Sequence, residues 1–438
     1  MDAPDTPAAP PTLSDLAAVF ARVGVLGFGG PAGQIALMHR MIIDERGWLT
    51  ERRYLAALNY CMLLPGPEAQ QLATYVGWHL HGVRGGLIAG LLFVLPGFVV
   101  ITAIAAVYAA FGETPLVDAL FFGLQAAVLA IVVEALIRIA RRSLTSPLAL
   151  GLAGAAFLAI FALHVPFPVV ILVAAAVGAV FGRGVARPVD AGDPPRPRSA
   201  AGTVRTALVW LSVWGSLPLL VALATGFDGT FARLGAFFSS LAVVTFGGAY
   251  AALAYVAQAA VATYGWLTAP EMLDALAMAE TTPGPLVLVL VFIGYLAGFR
   301  EPGGFDPVTG GLLGALVTAW VTFAPSFLWI FVGAPYVERI IASPRLGAAL
   351  SAVTAAVVGV ILNLTVWFAL NVLFREVGTA TAGPVSVSAP VLASLDPAAL
   401  ALSIVAAVMV FRLKAGLTVT LAVSAALGLL VVFAPRLL

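Results

Sequence analysis

Two helix-breaking motifs interrupt long apolar runs in this chain, and each occurs twice. A Gly-Gly pair lies at Gly29–Gly30 and again at Gly247–Gly248, and a Pro-Gly-Pro triplet lies at residues 65–67 and again at 283–285. A half-helix that begins at such a break directs unpaired N–H groups and the positive end of its dipole toward it. Because these groups bind anions without a formal charge, we expect the four breaks to form an anion site.

The side chains beside the breaks complete the set of candidate substrate-binding residues. Gln34, Gln71 and Thr282 offer hydrogen-bond donors there. Each residue also has a plainer explanation, since glycines allow close helix packing, prolines kink helices and polar side chains join neighbouring helices. Repetition of the breaks favours the functional interpretation, and the candidates are Gly29, Gly30, Pro31, Gln34, Pro65, Gly66, Pro67, Glu68, Gln71, Gly247, Gly248, Thr282, Pro283, Gly284 and Pro285.

Three ionisable residues near the breaks are candidates for gating or proton transfer. Glu68 follows Pro67 directly, and Glu280 lies three residues before Pro283. A carboxylate at membrane depth suggests a function, although Glu68 also complements the dipole of a helix that begins there. Arg22 lies in an apolar run before the first break, and a guanidinium matches an oxyanion through paired N–H groups.

No catalytic or metal-binding constellation is present in the sequence. The chain lacks a P-loop, an H-E-x-x-H motif and a G-x-S-x-G motif. Its single cysteine, Cys61, excludes an intrachain disulfide and a thiolate cluster. Four histidines are few, and His79 and His81, which have no carboxylate or thiol nearby, are weak evidence for a metal site. We therefore expect no enzyme activity, no cofactor and no metal. With a net charge of +1 and no basic tract, we also expect no nucleic-acid partner.

The elements that carry these breaks must lie in a membrane. Of the 438 residues, 61% are hydrophobic and only 10% are charged, whereas a soluble domain has about 25% charged residues. A bilayer solvates apolar surface directly and needs charges only at helix ends. The continuous apolar stretches predict an all-α polytopic membrane protein, and the absence of alternation excludes a β-barrel.

The apolar units fall into two homologous sets of six with one unit between them. An offset of 218 residues superimposes Phe28–Gly30 on Phe246–Gly248, residues 47–50 on 265–268, and 65–67 on 283–285. One odd helix between two copies inverts the second, and inverted repeats are typical of secondary transporters. The predicted organisation is a disordered cytosolic leader at 1–13, an N-terminal repeat at 14–182, a cytosolic linker and connecting helix at 183–224, and an inverted C-terminal repeat at 225–438. The twelfth of the thirteen units is predicted at 389–411.

The positive-inside rule favours re-entrant hairpins for the first two units of each repeat. If these units enter and leave on the same side, 18 of the 22 Lys and Arg residues lie on the cytosolic side, together with the N-terminus. If they cross fully, Arg40, Arg46, Arg52 and Arg53 move outside. Polar residues within the later helices, Gln125, Glu134 and Asn363, have the simpler expected role of pairing with one another.

The motifs resemble those of the chromate ion transporter family in its long-chain form with two fused halves. The matching stretches are F-G-G-P-A-G-Q-I-A-L-M at 28–38, W-L-T at 48–50, L-L-P-G-P-E-A-Q-Q-L-A-T-Y-V-G-W at 63–78, T-F-G-G at 245–248 and T-T-P-G-P at 281–285. The resemblance implies a multi-pass protein of the bacterial inner membrane that exports chromate and confers chromate resistance, with sulfate as a competing dianion. The second half departs at Ala249 and Leu286, where the first has Pro31 and Glu68, so the two halves are expected to have unequal roles.

Our mechanistic hypothesis is that the hairpin tips of both copies meet near the midplane. Their amide groups, with Gln34, Gln71 and Thr282, then replace part of the hydration shell of a tetrahedral dianion while access alternates. The alternatives are a transporter that imports or exchanges sulfate or another small oxyanion, and a membrane-embedded enzyme or scaffold. The remaining partners expected are the lipid bilayer and, in a homodimer, a second copy of the chain.

Overall fold

The structure of the protein is a computed structural model that describes residues 11–28, 30–112, 114–182, 199–246, 249–337, 343–383 and 385–433, with backbone only at Ala251, Glu280 and Thr281. Helices dominate these residues. In chain order they are α1 Leu13–Leu26, α2 Gly30–His39, α3 Glu51–Cys61, α4 Glu68–Phe111, α5 Pro115–Ser143, α6 Pro147–Phe161, α7 Phe167–Phe181, α8 Ala200–Thr225, α9 Thr230–Val244, α10 Ala249–Gln258, α11 Ala269–Thr281, α12 Val289–Arg300, α13 Pro307–Gly333, α14 Pro344–Leu373, α15 Pro397–Ala407 and α16 Leu417–Phe433.

Five of these helices are long and apolar enough to cross a membrane, which confirms the predicted helical membrane protein. They are α4, α5, α8, α13 with the short turn that follows it, and α14. Shorter apolar helices of 10 to 17 residues accompany them in the described part of the chain. Single π-helical turns extend α2, α10 and α15 at their C-terminal ends.

The prediction of a helical unit over 389–411 was wrong at its N-terminal end. An antiparallel hairpin of β1 Val377–Ala382 and β2 Val385–Pro390 precedes the helix. Small and β-branched residues alternate there, and Gly383 takes a positive φ at the turn. α15 begins only at Pro397, because the Asp396 carboxylate caps it by accepting from two backbone N–H groups.

The structure also defines where the first helix and the connecting helix begin. Within the leader predicted at 1–13, residues 1–10 lie outside the described ranges, but Thr12 already caps α1 and Leu13 is its first helical residue. The connecting helix starts at Ala200, because Ser199 accepts a hydrogen bond from the Gly202 N–H as its N-cap. Linker residues 183–198 are outside the described ranges.

The chain divides into two compact units, each built from three stretches. The first comprises Met1–Ala106, Ala179–Ala249 and Thr282–Leu350, and the second comprises Val107–Gly178, Tyr250–Thr281 and Ser351–Leu438. Each unit takes segments from both halves of the sequence, so neither coincides with a predicted repeat.

In the first unit, small residues allow helices to pack closely. Gly294 of α12 lies against Gly314 of α13, and Gly298 lies against Gly310, so the two helices run antiparallel. A methyl group at these positions would overlap the opposite backbone. Lipid gives apolar side chains no reason to cluster, so such close approach is a main source of stability between membrane helices.

α4 bends sharply within the first unit. His81 and Gly82 have non-helical backbone angles, which divide α4 into arms at residues 68–80 and 83–111. Gly77 of the first arm lies against Gly85 of the second.

In the second unit, α5 forms the centre and packs against α11, α15 and α16. Gly123 of α5 lies against Ser424 of α16, and Gly428 of α16 lies against Ala119 of α5. The same small-residue packing therefore holds this unit together.

Candidate anion site at the helix breaks

The first interrupted segment folds back on itself. α1 ends at Leu26, and α2 begins at Gly30, whose φ of +70° a residue with a side chain rarely adopts. The start of α1 and the loop after α2 line one cavity of about 540 Å³, with Thr12 on one side and Arg46 and Trp48 on the other. The two ends of the segment therefore lie together, as in a re-entrant hairpin.

The second interrupted segment has the same shape. α3 ends at Cys61 and α4 begins at Glu68. At the opposite ends of these arms, Arg53 Nη1 lies 2.8 Å from His79 Nε2. At about 1.5 Å per residue, the 11 residues of α3 are too short to cross a hydrocarbon core of about 30 Å. The segment therefore folds back within the protein, and its re-entrant course in the membrane stays a prediction.

Two backbone hydrogen bonds join the four breaks in pairs. The Gly284 N–H donates to the Gly27 carbonyl oxygen at 3.0 Å, and the Gly66 N–H donates to the Thr245 carbonyl oxygen at 2.9 Å. An offset of 218 residues converts Gly27 to Thr245 and Gly66 to Gly284. The two bonds are therefore equivalent under the sequence repeat, and each joins a Gly-Gly break of one half to a Pro-Gly-Pro break of the other.

The Gln34 side chain strengthens one of these junctions. Its Nε2 donates to Gly27 O at 3.1 Å and to Gly284 O at 2.5 Å, and the side chain is fully buried. Both neighbours are carbonyl oxygens, so the NH₂ end of the amide faces them and both of its hydrogens are used. Gln34 therefore bridges two breaks in this conformation, and we refer to this arrangement as the Gln34 bridge.

The other junction holds the polar groups that remain available. Gln71 Nε2 donates to Pro65 O at 2.7 Å, which leaves it one further hydrogen. Ser326 of α13 is buried, and its hydroxyl has no hydrogen-bond partner among the described residues. A Cβ placed on Gly66 would lie 3.2 Å from Gln71 Nε2 and 3.7 Å from Ser326 Oγ. Two polar groups with unused hydrogen-bonding capacity therefore lie next to Gly66.

The Pro-Gly-Pro break of the second half lies against the second arm of α4. A Cβ on Gly97 would overlap the carbonyl oxygen of Pro283, and Gly284 lies in contact with the same glycine. Under the sequence repeat, residues 95–98 correspond to 324–327. Gly97 therefore occupies at one junction the position that Ser326 occupies at the other.

The remaining predicted site residues occupy several environments. Pro67, Thr282 and Pro285 are buried, and Pro31, Pro65, Glu68 and Pro283 are half-buried. Glu68 is the first residue of α4, so its carboxylate complements the helix dipole. Arg22 is exposed on α1 and lines the cavity that Thr12 and Arg46 also line. Gly29, Gly247, Gly248 and the side chain of Glu280 lie outside the described residues.

Two candidate functional residues, Ser326 and Asp274, were not predicted from the sequence. Ser326 is a buried hydroxyl at the breaks, and its only sequence signal is its alignment with Gly97. Asp274 of α11 is a buried carboxylate that accepts from Tyr108 and Gln125. The expectation that Gln125 and Glu134 pair with each other was wrong, because Gln125 bonds to Asp274 and Glu134 forms an ion pair with Arg138.

A multi-pass helical protein whose interrupted segments fold back and contact one another at their breaks has the architecture of a secondary membrane transporter. The chromate transporter family model matches residues 14–179 and 232–429 of this chain. The chain belongs to the chromate transporter family, as the resemblance of its motifs had indicated.

Relatives support the same assignment and are transport proteins rather than enzymes. A chromate transport protein of Pseudomonas aeruginosa is 33% identical over 366 residues, which cover 81% of each chain. A chromate transport protein of Cupriavidus metallidurans is 30% identical over 354 residues, 80% of this chain and 81% of the relative. A probable chromate transport protein of Synechococcus elongatus is 29% identical over 355 residues, 81% and 84% of the two chains. No solved structure matches this chain significantly.

Proposed function

We propose that this protein exports chromate from the cytosol across the bacterial inner membrane and thereby confers chromate resistance. The observation that carries the proposal is the pair of repeat-related hydrogen bonds at the breaks, Gly284 to Gly27 and Gly66 to Thr245. These bonds bring together irregular backbone from distant segments. In a membrane protein such backbone is tolerated only where it lines a cavity or is buried in protein.

The binding site in this proposal lies beside Gly66. The first turn of α4 leaves N–H groups without intrahelical partners, and the helix dipole favours a negative charge there. The Ser326 hydroxyl and the second hydrogen of the Gln71 amide add directed donors. Together these groups replace part of the hydration shell of a tetrahedral dianion without a permanent positive charge, which allows the ion to leave again.

Gln34 has a different role in this proposal from that expected from the sequence. Its two hydrogens are committed to Gly27 and Gly284, so it binds the anion only in a state where the Gln34 bridge opens. In this proposal the bridge opens and closes as access alternates, because it joins two breaks that belong to different halves of the chain.

The proposed topology is two inverted repeats with a cytosolic N-terminus. The repeat offset relates backbone conformation as well as sequence, since φ is +59° at Gly47 and +63° at Gly265, and +109° at Gly66 and +94° at Gly284. Matched local structure at one offset supports duplication, and the charge distribution supports inversion.

Chromate transport into inside-out vesicles, measured with and without sulfate, tests the proposal. We expect saturable chromate uptake, resistance in cells that express the protein, and inhibition by sulfate as a similar dianion. Ser326→Ala should weaken chromate binding by about 1–2 kcal/mol, which is roughly a 5- to 30-fold rise in the half-saturating concentration. The matched control is Ser240→Ala, an exposed helical serine of the same unit. Absence of chromate uptake together with uptake of sulfate would establish the alternative anion transporter.

A further inference from the structure

One buried carboxylate lies outside the proposed anion site. Asp274 of α11 is 8% exposed and is the one charged side chain that is buried among the residues the structure describes. Tyr108 donates its O–H to Oδ2 at 2.7 Å, and Gln125 Nε2 donates to Oδ1 at 2.8 Å. Across the described part of the chain, no Lys or Arg forms an ion pair with it.

The fold itself does not require a carboxylate at this position. The repeat offset places Asp274 on Ala56 of α3, which is also buried. The equivalent helix therefore packs with a methyl group there. A purely structural link to Tyr108 and Gln125 needs only a neutral side chain, whereas a carboxylate adds the cost of removing a charge from water.

Two opposing influences act on the Asp274 carboxyl group. Burial without a cation disfavours its charged form, and the two donors favour it. The other charged groups that face it are also acidic, namely Asp118 on α5 and Glu271 on α11. The π-helical turn that packs on α11, Ala259–Thr263, carries no charged residue. This environment makes the carboxyl group able to gain and lose a proton.

We infer that Asp274 is the proton-binding site of the transport cycle, taking up and releasing one proton in each turnover through its network with Tyr108 and Gln125. Protonation converts one carboxylate oxygen from acceptor to donor, so the network that joins the end of α4, α5 and α11 must rearrange. This inference rests on the proposed transport function. It assigns the coupling proton to Asp274 instead of Glu68 or Glu280.

Proteoliposomes that hold the full-length protein test the inference. Chromate flux and internal pH are recorded together at alkaline pH, where chromate carries no proton of its own, with the membrane potential clamped by potassium and valinomycin. We expect proton movement to accompany chromate in the native protein. Asp274→Asn should abolish the proton movement and the pH dependence of flux, while chromate–chromate exchange is retained because exchange needs no proton release. The control, Asp228→Asn, changes an exposed acid that is not among the charged groups facing Asp274 and should behave as the native protein.

A second set of variants covers the case in which Asp274→Asn does not accumulate in the membrane. Asp274→Glu keeps the carboxyl group and should retain proton movement with a shifted pH profile. Tyr108→Phe removes one donor to the charged form and should move the profile to higher pH. Proton movement and pH profiles that stay native in Asp274→Asn, or in both other variants, would overturn the inference. Chromate flux without protons in the native protein also overturns it but leaves the proposed function intact, whereas absence of any chromate flux overturns the proposed function.

Discussion

Gln34 shows how one side chain can hold two broken helices together. Its amide hydrogens satisfy carbonyl oxygens at Gly27 and Gly284, which belong to opposite halves of the chain. A carbonyl left unsatisfied in a buried site costs about 1–3 kcal/mol. The Gln34 bridge therefore stabilises the protein and also fixes the position of the two breaks relative to each other.

The change Gln34→Leu should destabilise the protein by about 1–3 kcal/mol, because the Gly284 carbonyl oxygen loses its Gln34 donor and the Gly27 carbonyl oxygen keeps only the Gly284 N–H. It should also lower chromate flux. Thermal unfolding in detergent and vesicle uptake measure the two effects. Gln258→Leu, at an exposed position of α10, is the control and should leave both nearly unchanged. Native stability in Gln34→Leu would show that the bridge is dispensable.

Gly97 makes a comparable contribution by its lack of a side chain. A methyl group there would overlap the Pro283 carbonyl oxygen, so Gly97→Ala should separate α4 from the break, cost about 1–3 kcal/mol through overpacking and reduce flux. Gly215→Ala lies on α8 with open space around it and should be neutral or slightly stabilising, since alanine favours helices. Equal stability of the two variants, measured by thermal unfolding, would contradict this packing.

At the scale of elements, the interrupted segments of the two halves repeat the same local geometry. Trp48 and Trp266 each donate their backbone N–H six residues back, to Ile42 and Ala260. Thr50 and Thr268 each accept from the N–H three residues on, at the start of α3 and α11. Local sequence therefore determines these turns independently of the unit in which each lies.

Labelling of introduced cysteines tests whether the two equivalent turns face opposite sides. Cys61 is the single cysteine and is buried, so Cys61→Ala provides a background without thiols. Glu45→Cys and Thr263→Cys occupy equivalent exposed positions. A membrane-impermeant maleimide should label Thr263→Cys in intact cells and Glu45→Cys only in opened membranes. Labelling of Glu45→Cys from outside would favour full crossing over hairpins.

The hairpin of β1 and β2 is joined to α15 through Asp396. Arg375 contacts the Asp396 carboxylate at 2.9 Å, and that carboxylate also caps α15. Burial raises the pKa of Asp396. Hydrogen bonds from the Ala399 N–H, Arg375 and the Ala398 N–H lower it by more than burial raises it, so the pKa lies below its ordinary value of 3.8. The stabilisation is therefore present above that value and is lost as the pH falls through the lower pKa of the folded state.

Asp396→Ala should cost about 1–2 kcal/mol, mostly from the lost cap, since an exposed ion pair adds little. The free energy of unfolding of the variant, measured from neutral to acidic pH, should lie below that of the native protein by a constant amount that shrinks only in acid. Asp396→Asn retains a capping oxygen and should keep most of the stability. A difference that already changes between neutral and mildly acidic pH would refute this account.

At the scale of the whole molecule, the proposed outward movement of a dianion is favoured by the membrane potential. Moving a dianion outward gains about 2.3 kcal/mol per charge for each 100 mV, or about 4.6 kcal/mol in total. In inside-out vesicles, an imposed potential that is positive in the lumen should therefore drive chromate accumulation. The two charges of the dianion contribute roughly a thousandfold at 100 mV, and the charge of the coupled proton changes that ratio. With no pH gradient imposed, collapse of the potential should abolish accumulation, and ATP should have no direct effect. Accumulation that requires ATP would rule out a secondary transporter.

The helical membrane class, the four breaks and the offset between the two halves were predictable from the sequence because the bilayer imposes local requirements. Apolar runs must be long enough to span it, and helix breakers interrupt them wherever they occur. The pairing of the breaks was not predictable in this way. Gln34 reaches a residue 250 positions away, and Asp274 finds its donors 166 and 149 positions away. Such contacts depend on how whole helices pack, and no local pattern of residues encodes the partner.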